Sequence, residues 1–248
     1  MPSADRLDVR VPELLLGRIP SFREAVGVEE EPFTAGELAR WLNAEHGFGA
    51  DLHVIPVRGW QRSMWYDETG LPWIAPSPNM PSLASATHYP GTCLFEGTNL
   101  SVGRGTDIAF QHIGAPWLDA ETVAARLNEG VAAGRTGLAG ARFEATTFTP
   151  VSPGDGKFGG ETVRGIRFVA TDREAYDPTT AAIAALIEIR RAHPDALRWN
   201  VAHFDRLAGT DRVRLAIQAG AELEEVVGPW EEQVARFETA RRAYLLYD

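Results

Sequence analysis

The 248-residue chain is 44% apolar and 23% charged, proportions that suit a globular protein with a real core. Its formal net charge of −10 argues against nucleic acid as a partner, because holding phosphate takes clustered Lys and Arg. A single cysteine, Cys93, excludes an internal disulfide. No apolar run reaches the roughly 20 residues that span a membrane, and the first residues lack the basic and apolar blocks of a secretion signal; as written, the sequence implies the cytoplasm.

Residues 1–32, punctuated by Pro2, Pro12, Pro20 and Pro32, read as an extended lead-in with one short helix near Ser21–Val26. Thr34 followed three residues later by Glu37 is a capping box. It opens a helix carrying Leu38, Trp41 and Leu42, which Gly47 can close. Leu52–Val57 is strand-like, with Pro56 demoting it to an edge or an end. Arg58–Asp67 crowds Trp60, Trp65, Tyr66, Arg58 and Arg62 together and suits a ligand wall or a packing hinge. Met80–Tyr89 reads as a short helix capped by Asn79, with Pro81 early, where its missing N–H costs nothing. Cys93–Phe95 reads as a short apolar strand.

Further helices start at Asp119 and at Asp177-Pro178, the second stopped by Pro194. Another covers Asp211–Ala219 and ends at Gly220. The last follows Gly228-Pro229, with Trp230, Val234, Phe237 and Tyr244 as its apolar stripe and Arg241 among its solvated residues. Arg142–Thr149 and Val163–Ala170 are strand-like and form a wide hairpin across the flexible loop Ser152–Gly160. Strands and helices are interspersed without strict alternation, so the expected class is α+β, a mixed β-sheet with flanking helices.

Residues 72–119 are too apolar and aromatic for a linker and too long for an ordinary connection, which runs to about 4–6 residues. They read as a site-building segment on a rigid scaffold. At its centre Gly97, Gly103 and Gly105 permit close backbone approach. Thr98, Asn99, Ser101 and Thr106 offer short donors and acceptors. Glu96 and Asp107 offer carboxylates, and Arg104 a rigid fork. This set suits a polyol ligand, with Trp73 and Trp117 as flat faces; the alternative is that Arg104 pairs with Glu96 or Asp107 and pins the loop. His88 and His112 suit an acid–base role or a hydrogen-bonded structural one. Gly103-Arg104-Gly105 does not open a helix and fails both nucleotide-binding fingerprints. The six His show no helical pair with zinc spacing, and no Gly-x-Ser-x-Gly elbow is present. No metal and no cofactor is expected.

Pro76–Pro81, Tyr89–Thr92, Glu96–Thr106 and Ile113–Trp117 together resemble the NamZ family of exo-β-N-acetylmuramidases. Thr34–Ala39, Gly59–Arg62 and Asp67–Trp73 extend the likeness upstream, and Asp205–Asp211 and the terminal Trp230 helix extend it downstream. The resemblance implies a C-terminal-type α+β domain at 33–248, with residues 1–32 as the lead-in from a Rossmann-like N-terminal domain missing from this sequence. It implies release of terminal N-acetylmuramic acid from peptidoglycan-derived saccharides or muropeptides. The family's proposed catalytic Glu belongs to the N-terminal domain and has no counterpart here, so no catalytic acid is carried over; Glu96 is a possible assisting carboxylate. Asn79, Tyr89, Glu96, Thr98, Asn99, Arg104 and Trp117 match the family's C-terminal motif and are expected to line or brace the cleft. Gln111 stands where the family pattern has a carboxylate. A full-length parent with a secretion signal would belong to the cell envelope. The competing reading is a non-catalytic glycan-binding or structural domain.

Overall fold

The computed structural model describes residues 8–12 and 33–247; the expected helix near Ser21–Val26 and most of the lead-in lie outside the described residues. Asp8–Pro12 (β1) pairs in parallel with Asp51–Ile55 (β2). A parallel pair needs a long crossover, and the helix Ala35–Glu45 (α1) lies on it. The capping box is present: Glu37 N–H donates to Thr34 Oγ1 at 3.4 Å, and Thr34 N–H donates to Glu37 Oε2 at 2.8 Å.

Two local expectations are corrected. The second helix, Leu83–Thr92 (α2), starts three residues later than expected and is capped by Ser82. Residues 77–80 are spent on a turn closed by Met80 N–H donating to Ser77 O, and Asn79 N–H donates to Ser77 Oγ. Cys93–Gly97 is not a strand but a 3-10 turn continuing from α2. Cys93, Leu94 and Phe95 are all buried, and so short an apolar run looks the same in a buried turn as in a buried strand. The Thr92 hydroxyl hydrogen-bonds both His88 O and Phe110 O, holding the chain helical at this point.

The expected hairpin forms: Ala141–Phe148 (β4) and Val163–Ala170 (β5) pair antiparallel over their full length. His112–Ala115 (β3) joins the other edge of β5, giving the order β3-β5-β4. The class is α+β, and its parallel and antiparallel pairings are divided between two sheets rather than merged in one. Ala120–Ala132 (α3) covers β4, where Asn128 brackets both backbone groups of Phe143. Pro178–Ala192 (α4) is buried along almost its whole length, as an apolar helix in the middle of a core must be. Val201–Leu207 (α5), Arg212–Ala219 (α6), Leu223–Val227 (α7) and Trp230–Arg241 (α8) follow. No helix among the described residues is long and apolar enough to cross a membrane.

The end of the chain folds back onto α1. Phe33 packs against Trp41, Phe237 and Tyr244, and Leu246 N–H donates to the fully buried Glu37 at 2.6 Å. Arg62 donates to the same Glu37 oxygen, also at 2.6 Å. Arg241, expected on the solvated side of the last helix, is buried, while Glu231, Glu232, Arg236 and Arg242 of that side are exposed.

Candidate functional site

α2 and the 3-10 turn deliver Glu96 to the partly exposed rim of the core, and the following turn brings Arg104 back to it. Arg104 Nε and Nη2 both donate to Glu96 Oε1, at 2.7 and 2.5 Å. Their side chains are 23% and 15% exposed. Arg104 therefore pairs with Glu96 and not with Asp107, which is exposed. Among the described residues the second carboxylate oxygen of Glu96 and Nη1 of Arg104 have no hydrogen-bond partner. An acceptor and a donor are thus left over at a partly exposed edge.

The floor under this pair is aromatic. The Arg104 guanidinium lies 5.2 Å from the Phe110 ring centre, and Tyr89 meets Phe110 edge-on at 4.9 Å. Phe110 is held at φ 66°, a left-handed conformation that costs a bulky residue of order 1–3 kcal/mol and is kept only where its surroundings over-determine it. Here Phe110 N–H donates to Val102 O, and Phe110 O accepts from Thr92. Sequence reading missed Phe110, since nothing local marks a strained Phe.

The three glycines of the turn are needed for close approach. A Cβ on Gly97 would sit 2.5 Å from the Phe204 backbone, on Gly103 2.1 Å from His112 Nε2, and on Gly105 2.4 Å from Val151 O. Gly103 and Gly105 also have φ of 73° and 82°, so any side chain there would be strained.

The loop between β4 and β5, expected to be flexible, reaches across to this turn. The Lys157 ammonium donates to Thr98 O and Leu100 O at 2.8 Å, to Glu96 O at 3.2 Å and to Phe95 O at 3.5 Å. Burial pushes its pKa below the ordinary value; Asp155 and Glu96 oppose that shift, and Arg104 adds to it. Lys157 was not anticipated, and the one cue was a lone cation in a Gly-rich loop.

The other expected residues divide. Thr98 is buried, its hydroxyl donating to Phe95 O and accepting from Leu100 N–H, so it shapes the turn. Asn99 gives its amide N–H to Ala196 O and accepts from Arg198 N–H, which ties the turn to the segment before α5. Trp117 stacks edge-on with His193, and Asn79 is half-buried in its own turn. Tyr89, Glu96 and Arg104 come together through Phe110; Thr98 and Asn99 brace them from behind.

His88 and His112 take the structural role. His88 hydrogen-bonds Tyr176 at 2.8 Å, and His112 hydrogen-bonds Thr106 Oγ1 at 3.1 Å while stacking on Phe148. Burial, and then the Arg167 cation, bring both down to about 4. Gln111 is buried and donates to Ser82 and Ser85.

The family model described as "Exo-beta-N-acetylmuramidase NamZ, C-terminal" matches residues 87–247, and the corresponding N-terminal model matches residues 20–84. The chain is 34% identical to the peptidoglycan β-N-acetylmuramidase NamZ of Bacillus subtilis over 92% of its own length and 54% of that protein. Two crystal structures of DUF1343 family proteins from Bacteroides fragilis superpose on 87% of the chain, with TM-scores of 0.77 and 0.63 at 28% and 29% identity, and the chain covers 56% of each. It thus spans about half the length of the relatives it matches. On these matches the chain belongs to the NamZ exo-β-N-acetylmuramidase family.

Proposed function

We propose that this chain forms one wall of a peptidoglycan β-N-acetylmuramidase, a glycosidase that releases terminal N-acetylmuramic acid from peptidoglycan fragments. The observation that carries the reading is the Glu96–Arg104 edge. The free Arg104 nitrogen suits the lactyl carboxylate that distinguishes muramic acid from glucosamine, through a charge-assisted bond. The free Glu96 oxygen suits a sugar hydroxyl or the acetamido N–H. Tyr89 and Trp117 supply aromatic surface for the sugar ring, Thr98 and Asn99 keep the Glu96 turn in shape, and Asn79 braces its own turn ahead of α2.

Glycoside hydrolysis uses two carboxyl groups, about 5–9.5 Å apart across the scissile bond. Glu96 is the assisting carboxylate on this side, and the principal acid comes from the family's N-terminal half, of which this chain matches the model over residues 20–84. A chromogenic N-acetylmuramide assayed with the chain alone and with an added N-terminal half tests the proposal. Turnover is expected only with both, and a folded pair with no turnover would overturn it.

A second reading, glycan binding without cleavage, is favoured by Glu96 being tied to Arg104 through one oxygen. Calorimetric titration with muropeptides separates the two: binding that persists with no hydrolysis in the reconstituted pair supports the second.

A further inference from the structure

The Lys157 ammonium occupies an unusual place. It comes from the loop between β4 and β5 and meets backbone carbonyls of Phe95, Glu96, Thr98 and Leu100, all on the turn that carries Glu96, 57 to 62 residues earlier in the chain. A lysine has three donors and no acceptor, and converging carbonyls are what a desolvated monovalent cation takes in place of its water shell. Phe95 O already accepts from the Thr98 N–H and hydroxyl, but the carbonyls of Glu96, at the end of the 3-10 turn, and of Thr98 and Leu100 beyond it meet no backbone N–H among the described residues, so they need a donor or an ion.

We propose that Lys157 is the positioning residue of the Glu96–Arg104 edge, its ammonium acting as a tethered monovalent cation in a carbonyl cage that would take a free ion of similar size once the side chain is removed. Drawing the carbonyls of Glu96 and Thr98 inward fixes the direction in which the Glu96 side chain leaves the turn, and so the place where Arg104 meets it. Lys157 touches no ligand itself. The loop bearing it is built for this reach. Phe158 beside it and Ser152 both have positive φ, and Val151 N–H donates to Gly105 O on the far side of the same turn.

The role in ligand positioning rests on the function proposed above; the cation cage does not. Lys157→Ala in the full chain should melt markedly lower in sodium buffer and recover in potassium, ammonium or methylammonium, while wild type is indifferent to the cation. Binding of N-acetylmuramic acid to the variant should be at least about tenfold weaker in sodium and return with the same ions. Lys157→Arg should not rescue, because a planar guanidinium cannot converge on these oxygens. A variant melt independent of the cation overturns the cage. If wild type binds no muramic acid, the proposed function fails, and the cation-dependent melt still decides the cage. If Lys157→Ala does not fold in any salt, 15N-lysine NMR of wild type decides: one solvent-protected ammonium signal supports the cage, and its absence sinks it.

Discussion

Breaking the Glu96–Arg104 pair from each side is the most informative perturbation of the edge. Glu96→Gln keeps the shape and removes the charge; Arg104→Met keeps an apolar stem and removes the fork that lies by Phe110. Exposed ion pairs contribute about 0–1 kcal/mol, and truncating one partner of a fully buried pair costs about 3–5 kcal/mol. At 23% and 15% exposure, with two nitrogens on one oxygen at 2.7 and 2.5 Å, this pair lies between those limits. A double-mutant cycle in urea should give a coupling of about 1–2 kcal/mol, above the few tenths seen for independent sites. The binding arm is steeper. Calorimetry with N-acetylmuramic acid and with N-acetylglucosamine should show Arg104→Met losing about tenfold for the acid, about 1.4 kcal/mol, and little for the neutral sugar. A coupling below about 0.5 kcal/mol, or equal losses for both sugars, would refute the claim that the pair is both a joint and a carboxylate reader.

Three other outcomes are expected. Glu37→Gln removes the buried charge facing Arg62 and leaves one acceptor oxygen where the Arg62, Thr34 and Leu246 donors shared two, and by the cost of halving a buried pair should lose about 3 kcal/mol, a fall of roughly 6–12 °C in Tm for a chain of this size; faster proteolysis of the C-terminal tail is the second readout. Burial alone would raise the Glu37 pKa, but the Arg62 hydrogen bond and the Leu246 and Thr34 amides hold it below its ordinary value. Its stability contribution is therefore present above the unfolded value and lost as pH falls through the lowered one. Gly105→Ala puts a methyl 2.4 Å from Val151 O at φ 82° and should cost about 2 kcal/mol or more by denaturation. His88 and His112, both lowered from 6.5 to about 4, are neutral when folded; stability should decline as pH drops from 6.5 through 4, with proton uptake on unfolding, and His112→Gln should flatten that decline in a urea series.

Most helices were legible because their signals are local. The Thr34–Glu37 box, Asp177-Pro178, and Gly220 at φ 86° each settle their own boundary by hydrogen bonds or sterics within a few residues. The β4–β5 hairpin was legible from alternation. Cys93–Gly97 was not, because three apolar residues carry no period, and β3 was not, because all of its residues are buried. At the candidate site, the residue types around Glu96 and Arg104 pointed to polar recognition, and the motifs pointed to the family. The partner of Arg104, the strain at Phe110 and the arrival of Lys157 were decided by the tertiary fold.

By itself the sequence determined the helices that cap themselves, the alternating hairpin and the family. Its glycines, acid and guanidinium marked where a site would stand. Tertiary structure alone decided that the C-terminal tail welds to Glu37, that Thr98 and Asn99 brace rather than face outward, and that a lysine some sixty residues away holds the turn. The physical reason is range. Caps and periodicity are settled by neighbours in the chain, whereas a carbonyl cage or a buried carboxylate is satisfied by whichever groups the packed core brings within about 3 Å.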